Sequence, residues 1–417
     1  MTEGARSIQR TYLLLTLLST LAASFIWGIN TLFLLDAGLT PTSAFAANAS
    51  FTLGMVLFEI PTGVVADTRG RRSSFLLGTG TLLVSTLLYL LMWSIEAPFW
   101  GWAIVSAMIG LGFSFFSGAV EAWLVDALTA TGFTGSLETV FGKAQSVAGV
   151  AMLTGTVAGG LIAQATTLAV PYIVRAVVLG ITLAVAFRAM KDLGFRPNRE
   201  TGPIAEVRRI LRSSVDGGLR LPQIRWMMLT SPFLMGVAIY SFYALQPHLL
   251  DLHGDDTAYW VAGLAAALLA AAQIAGGLFV PAVRRIFARR STAIASAVAL
   301  GSIALAGIGV TEHLGVALVL VAMLGVALAA ATPLRQAYLN GLIGSDARAT
   351  VLSFDALLGS AGGVVTQPAL GRSADAFGYG TSYLISAGVL LASMPFLVLA
   401  RRSGSPSDVA TSARRPA

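Results

Sequence analysis

The sequence predicts an all-α polytopic membrane protein, with twelve transmembrane helices in two pseudo-symmetric six-helix bundles. Three observations carry this. Charged residues make up 11% of the chain and hydrophobic ones 56%, whereas a soluble domain of this length carries roughly a quarter charged residues. The apolar residues fall in long uninterrupted blocks. Short motifs recur at one spacing between the two halves.

The blocks lie at about 11–35, 42–66, 73–94, 98–128, 140–166, 169–190, 223–250, 257–283, 292–310, 315–341, 350–373 and 378–400. Most reach the roughly 20 residues that cross a bilayer core as a helix. They are too long and too continuous for barrel strands, so helices must satisfy the backbone. The first block follows a basic decapeptide, as in a signal peptide. Its length and the eleven blocks after it make it an uncleaved first span.

With the N-terminus in the cytoplasm, Arg6, Arg10, Arg69, Arg71, Arg72, Arg284, Arg285, Arg289, Arg290, Arg348, Arg401 and Arg402 all fall inside. The outer loops carry Asp36, Glu96, Asp251, Asp255, Asp256 and Glu312. This is the positive-inside pattern. It explains the net charge of +7 without nucleic acid, and it places both termini in the cytoplasm of a cell (inner or plasma) membrane protein. The absence of cysteine leaves no disulfide and no thiolate metal site.

One long polar segment divides the spans six and six. The expected organisation is 1–190 as the N-terminal bundle, 191–222 as a cytoplasmic loop, 223–402 as the C-terminal bundle and 403–417 as a cytoplasmic tail. In the loop, Ile204, Val207 and Leu211 recur at helical spacing beside Arg208, Arg209 and Arg212. The pattern fits an amphipathic helix on the membrane surface or a solvated basic linker.

The halves echo each other. "FLLDAG" at Phe33–Gly38 answers "HLLDLHG" at His248–Gly254, with Asp36 and Asp251 offset by 215. "EIPTG" at Glu59–Gly63 answers "QIAGG" at Gln273–Gly277 at 214, and "EAWL" at Glu121–Leu124 answers "QAYL" at Gln336–Leu339 at 215. A duplication of this kind is a transporter architecture, with the substrate site between repeats near mid-membrane.

Between spans 2 and 3 the sequence reads "GVVADTRGRR". Gly63, Asp67, Gly70, Arg71 and Arg72 fall on the pattern Gly-x-x-x-Asp-Arg-x-Gly-Arg-Arg/Lys, with Thr68 in place of its first Arg and Arg69 alongside. By this motif, in this loop of a six-plus-six chain, residues 11–402 resemble the major facilitator superfamily. The drug exporters of that family offer a further, weaker likeness in span 5. "GTVAGG" at Gly155–Gly160 is similar to their Gly-Pro-x-x-Gly-Gly motif, with Thr156 at the proline; close helix packing also explains such glycines.

The resemblance implies a gate. Asp67 would meet the amides opening span 11, entered through "RATVLSFD" with Asp355 at its end, and would latch the bundles while the outside is open. An anion is favoured at such a helix start. Gly63 permits close helix approach and Gly70 a tight reversal. Asp126, at the inner end of span 4, is the expected partner of Arg71 and Arg72; alternatively the arginines only anchor the loop.

Glu59 lies eight residues before Asp67, about 12 Å deeper along the helix. Glu121 lies at similar depth in span 4, and Arg335 joins that layer from span 10. Acids at such depth are costly and face a cavity or a partner. Glu59 or Glu121 pairs with Arg335, or one of them is held neutral and exchanges a proton, as proton coupling requires; a static ion pair is the plain alternative. Their counterparts in the second half are Gln273 and Gln336, so any titratable function belongs to the first half.

Arg175, in span 6, is expected to snorkel to the outer interface rather than bind an anionic substrate. Asp355 serves the gate or a local cap. Lys143, Arg372 and Asp375 read as structural, and His248 as a satisfied hydrogen bonder. The resemblance places spans 1, 4, 7 and 10 around a central cavity. There Trp27, Asn30, Phe115, Trp123, Tyr240, Phe242, Tyr243 and Gln246 are the expected lining, with Phe116 and Leu245 beside them.

Such a wall suits lipophilic or cationic compounds better than sugars. The expected function is proton-coupled efflux of small lipophilic molecules by rocker-switch alternating access. The rival is a proton symporter importing a nutrient or organic anion on Arg175 or Arg335. No HExxH, Ser/His/Asp set or metal cluster suggests an enzyme, and a non-transporting sensor is a third class. The expected partners are a small-molecule substrate, protons and the lipid bilayer, with no nucleic acid and no cofactor, in a monomer.

Overall fold

The computed structural model describes residues 3–195, 219–343 and 345–409, and in these the regular structure is helical. The predicted surface helix around Ile204, Val207 and Leu211 lies outside the described residues.

The first span is α1 (Glu3–Trp27) continued by α2 (Asn30–Asp36) after a turn at Gly28 and Ile29. The next two are α3 (Pro41–Arg69) and α4 (Arg71–Ser94). The fourth is again in two pieces, α5 (Phe99–Ser114) and α6 (Ala119–Ala130). Then come α7 (Leu137–Ala165) and α8 (Ala169–Ala189). The second half begins with α9 (Pro222–Met228) and α10 (Ser231–His253), then α11 (Tyr259–Ile286), α12 (Arg290–Val310) and α13 (Leu314–Asn340). It ends with α14 (Ser345–Leu391) and α15 (Met394–Arg402).

Among the described residues, eleven stretches are long and apolar enough to cross a membrane, and the last, Val351–Arg402, runs 52 residues. At 1.5 Å per residue that is more than twice a hydrocarbon core of about 30 Å. It breaks at Gly378, where φ is +82° and ψ 163°, a conformation that glycine adopts without strain. Two crossings therefore share it. The chain is an integral, multi-pass protein of twelve transmembrane helices.

The described chain divides into two compact units. The first holds residues 3–39, 50–195 and 257–267, and the second 40–49, 219–256 and 268–409 apart from 344.

The first unit is built on aromatic packing at one end. Phe33 stacks on Tyr172 with centroids 4.1 Å apart, and Tyr89 meets Trp102 edge-on at 5.0 Å. The polar tips are satisfied: Tyr172 Oη donates to Asn30 Oδ1 at 2.9 Å, and Tyr89 Oη and Ser106 Oγ lie 2.5 Å apart. At the other end Tyr12, Leu15, Phe75, Trp123, Leu124, Leu128, Val140 and Met190 form one buried cluster.

Glycines set the tightest helix contacts. A Cβ on Gly159 would fall on the Phe25 carbonyl, one on Gly155 would lie 2.6 Å from Ser24 Cβ, and one on Gly160 would lie 2.9 Å from Tyr259 O. The span-5 motif is thus a packing surface for α1 and the start of α11 within this unit, as small residues are between helices in lipid.

The second unit pairs α10 with α14. A Cβ on Gly362 would fall on the backbone of Pro232. Tyr240 Oη and Ser382 Oγ lie 2.5 Å apart, Tyr383 Oη donates to Ser241 O at 3.0 Å, and Phe45 packs on Tyr240 with centroids 4.8 Å apart.

This packing makes a stability prediction. Gly159→Ala forces two backbones apart and costs about 1–3 kcal/mol, so its thermal midpoint in detergent falls by several degrees. Gly180, where an added Cβ meets nothing within 4 Å, is the control. Equal midpoints for Gly159→Ala and Gly180→Ala overturn this account of the span-5 glycines.

Candidate functional site

The chemistry of the first unit gathers at the break in the fourth span. The sequence runs apolar across it, "GFSFFSGAV", which is why a continuous span was expected. The helix instead stops at Ser114 and restarts at Ala119, with Gly118 in the left-handed region at φ +66°. A break at membrane depth frees carbonyls that lipid cannot satisfy. Here neighbouring hydroxyls take them. Thr62 Oγ1 donates to Ser114 O at 3.1 Å, and Ser74 Oγ donates to Phe115 O at 2.9 Å. Gly78 makes room for the turn: a Cβ there would lie 2.8 Å from Phe115 Cβ.

The turn also presents Ser117, whose Oγ donates to Glu59 Oε1 at 2.5 Å. Both residues are exposed. Glu121 follows in the first turn of α6 and is exposed as well; a carboxylate there is favoured by the free amides of the helix start. The break therefore sets two glutamates beside a turn that glycine permits. Sequence reading had the glutamates but not Ser117, Thr62 or Ser74. The signal available was Gly118 inside an otherwise helical apolar run.

Arg335 has a carboxylate partner within its own unit. This is Asp355, with Nη1 to Oδ2 at 2.6 Å and Nη2 to Oδ1 at 2.5 Å. Ser231 Oγ accepts from Nη2 at 2.6 Å, Met227 O from Nη2 at 3.1 Å and Thr230 Oγ1 from Nε at 3.3 Å. Ser231 Oγ in turn donates to Asp355 Oδ1 at 2.9 Å. Charge proximity decides this: Asp355 comes from the neighbouring helix of the same unit and is 7% exposed, so it needs a cation where it sits. Its place is in this ion pair rather than at a helix start.

The pair floors a cavity of about 500 Å³ lined by Leu234, Met235, Leu328, Gln336 and Asn340 among others. A second cavity of about 410 Å³ holds Phe242, Leu245 and Gln273. Ala238, Leu328 and Thr332 line both, so the two form one largely apolar groove within the second unit.

Arg175 does not snorkel. It is 1% exposed, its Nε donating to Thr86 Oγ1 at 3.0 Å and its Nη1 to Ala22 O at 3.4 Å. A hydroxyl and a carbonyl inside the first unit accept from the guanidinium, so its burial is accompanied by hydrogen bonds. His248 is buried and its Nε2 donates to Ile308 O at 3.1 Å, as a structural imidazole does.

Within its own unit the loop motif has these partners. Asp67 pairs with Arg71 one turn on, at 2.6 Å. Arg72 sits over the Phe187 ring at 5.1 Å and its Nη2 donates to Phe187 O at 2.8 Å. Its backbone N–H donates to Asp192 Oδ1 at 2.8 Å. Among the described residues Asp67 and Asp192, rather than Asp126, are the acids at these arginines, because the chain after α8 returns to the start of α4. Gly70 has φ +103°, and a Cβ there would collide with the Asp192 carboxylate. Gly63 has open space around its Cα. Arg372 pairs with Asp375 at 3.6 Å, as a structural pair.

The expected cavity wall is partly packed away. Asn30, Trp123, Tyr240 and Gln246 are buried. Trp123 belongs to the apolar cluster and donates its Nε1–H to Lys191 O at 2.8 Å. Trp27, Phe115, Phe242 and Tyr243 keep intermediate exposure. Apolar character alone cannot separate an aromatic that lines a groove from one that fills a core.

Family comparison agrees with this architecture. The model for the Major Facilitator Superfamily matches residues 12–366. No curated protein matches the sequence. Among solved structures, the chain is similar to the nucleoside transporter NupG, at 12% identity over 95% of this chain and 99% of that one, TM-score 0.73. It is similar to a bacterial homologue of the human lysosomal transporter Spinster, inward-facing and occupied, at 13% identity over 99% and 100%, TM-score 0.74. The POT family transporter PepTSo is a further likeness, at 13% over 96% and 99%, TM-score 0.72. At these identities the structural likenesses speak for the fold. With twelve helices in two repeats and a family match over most of its length, the chain belongs to the major facilitator superfamily.

Proposed function

We propose that this transporter exports small lipophilic molecules in exchange for protons, by alternating access, with its arginine-rich helix ends in the cytoplasm. The observation that carries the reading is the Glu59–Ser117 hydrogen bond at 2.5 Å, on exposed residues at a break in a membrane-spanning helix. Interrupted helices in transporters mark binding and coupling sites. An exposed intramembrane carboxylate held by a single hydroxyl can gain and lose a proton without dismantling a packed network. Its repeat-mate Gln273 keeps the shape without the charge.

The groove in the second unit supports the substrate class. Its lining is mostly leucine, alanine, methionine and phenylalanine, with amide groups at Gln273, Gln336 and Asn340. The rival import of an organic anion needs a cation to receive it. Arg335 is held by one carboxylate and three further oxygens, and Arg175 is buried on Thr86 and Ala22. Both cations are already engaged, which weighs against that rival.

The direct test uses inside-out vesicles with an acidic lumen, a fluorescent reporter of the gradient and a panel of lipophilic cations, antibiotics, sugars and organic anions. Lipophilic compounds are expected to dissipate the gradient, and vesicles lacking the protein not to respond. Dissipation by organic anions or sugars alone sinks the reading.

Glu59→Gln is expected to abolish gradient-driven transport while ligand binding, read by tryptophan fluorescence, stays within a few-fold of wild type. Ser117→Ala, which removes one charge-assisted hydrogen bond of about 1.5–3 kcal/mol, is expected to shift the pH dependence of transport without abolishing it. Full gradient-driven activity in Glu59→Gln would assign coupling elsewhere.

For the loop motif, Asp67→Asn breaks the pair with Arg71 and is expected to slow turnover several-fold with an unchanged substrate range. A changed range at wild-type rate would argue that this loop is no gate.

A further inference from the structure

The segment after the last span is not a loose tail. Ser403 to Val409 folds back on the second unit, where a 3₁₀ turn at Pro406–Asp408 buries Ser405, Ser407 and Asp408. Asp408 Oδ1 accepts from the backbone N–H of Ser291 at 2.7 Å, and its Oδ2 accepts from Ser291 Oγ at 2.8 Å. Ser407 Oγ donates to Tyr338 O at 2.7 Å, Ser407 O accepts from Arg290, and Val409 bridges Arg289. A Cβ on Gly341 would lie 2.7 Å from Ser407 Cβ, so the strap lies flat on the end of α13.

The first unit contains the same arrangement. The segment after α8 brings Asp192 to the N–H of Arg72 at 2.8 Å, and Lys191 O to the indole of Trp123 at 2.8 Å. Arg72 and Ser291 are each the second residue of their helix, α4 and α12. These are the third spans of their halves. Neither helix has a side-chain cap from its own N-cap residue, which is Gly70 in one and Arg289 in the other. Trp123 and Tyr338 lie 215 apart, the spacing of the internal repeat, and Asp192 and Asp408 lie 216 apart, within one residue of it.

We infer that Asp192 and Asp408 are repeat-related positioning residues, each the far half of a clasp in which the segment leaving the sixth span caps the third span and rests on the fourth. The clasp supplies the acceptor that Gly70 and Arg289 cannot. In the first unit it also fixes the loop motif, since the Asp192 carboxylate lies against Gly70 and holds Arg72. In the second unit it makes residues 403–409 part of the bundle. The chemistry is that of an N-cap: a side-chain oxygen takes a first-turn amide and its charge faces the positive end of the helix. An asparagine preserves the acceptor and an alanine does not.

Residue-level hydrogen–deuterium exchange on the full chain in detergent tests this. Asp408→Ala is expected to raise exchange about fivefold at the first turn of α12, the worth of a typical cap, and to leave α4 unchanged. Asp192→Ala is expected to do the same at α4 and leave α12 unchanged. Asp192→Asn and Asp408→Asn are expected to restore most of the protection. Unchanged local exchange in the alanine variants, or asparagine behaving as alanine, overturns the inference. The wild-type protein gives a check that needs no variant. The amides of Arg72 and Ser291 should exchange more slowly than first-turn amides of α13, whose N-cap His313 provides no side-chain acceptor. Equal rates there overturn it as well.

Discussion

A carbonyl released from its helix inside a bilayer has no water to turn to, and the first unit is organised around one place where this happens. The four residues between α5 and α6 free backbone groups that Thr62 and Ser74 then take up. Those hydroxyls come from α3 and α4, so the second, third and fourth spans are tied to one another at the break. Glycine at 78 allows the close approach, and glycine at 118 allows the left-handed turn. Once the turn exists, Ser117 has a fixed direction and Glu59 a fixed partner. The position of the candidate coupling carboxylate is thus a consequence of how a broken backbone is repaired.

The two repeats solve one packing problem with different chemistry. Arg335 and Asp355 correspond, at an offset of 215, to Val120 and Val140, which share one apolar cluster in the first unit. Arg175 and Thr86 correspond to Leu390 and Gly301, and Leu390 lies against Gly301 in the second unit. Each location in the bundle is kept while its polarity is exchanged. A buried ion pair gains little over a well-packed apolar pair, but losing one partner costs several kcal/mol. The arginines therefore fix one arrangement of their helices more than they add to its stability. Where the break occurs the asymmetry runs further: the counterpart of Gly118 is Pro333, inside an uninterrupted α13.

Much of this was legible in the sequence. Length and hydropathy identified the spans, loop charge separated their ends, and three short motifs exposed the repeat. The functional residues were legible as types and less so as pairs. Glu59 announces itself as an acid in an apolar run, but its partner is a serine that looks like any other in "FSFFSGAV". Arg335 and Asp355 were both visible, yet depth counting along isolated helices sets Arg335 beside the glutamates. The pairing depends on which helices adjoin, and within the second unit another helix supplies Asp355 to Arg335. Trp123 and Tyr240 are buried within their units, which sequence does not distinguish for a related reason. An aromatic that fills a bundle and one that lines a groove have the same sequence signature in a chain whose exterior is also apolar.

Asp192 and Asp408 show where the sequence carried more than residue-by-residue reading extracts. Both lie just beyond a last apolar block, in segments whose composition reads as linker or tail. Their meaning comes from the repeat. An acid that recurs within one residue of the repeat offset, and in each half reaches the first turn of the third span, marks a shared contact. In a helical bundle at a water interface, an acid beyond one span has a natural contact at the amide end of another helix starting on the same side. The third span starts there in each half, with a glycine or an arginine at its N-cap. The duplication, read to within a residue, therefore also locates the acceptor those two helices lack.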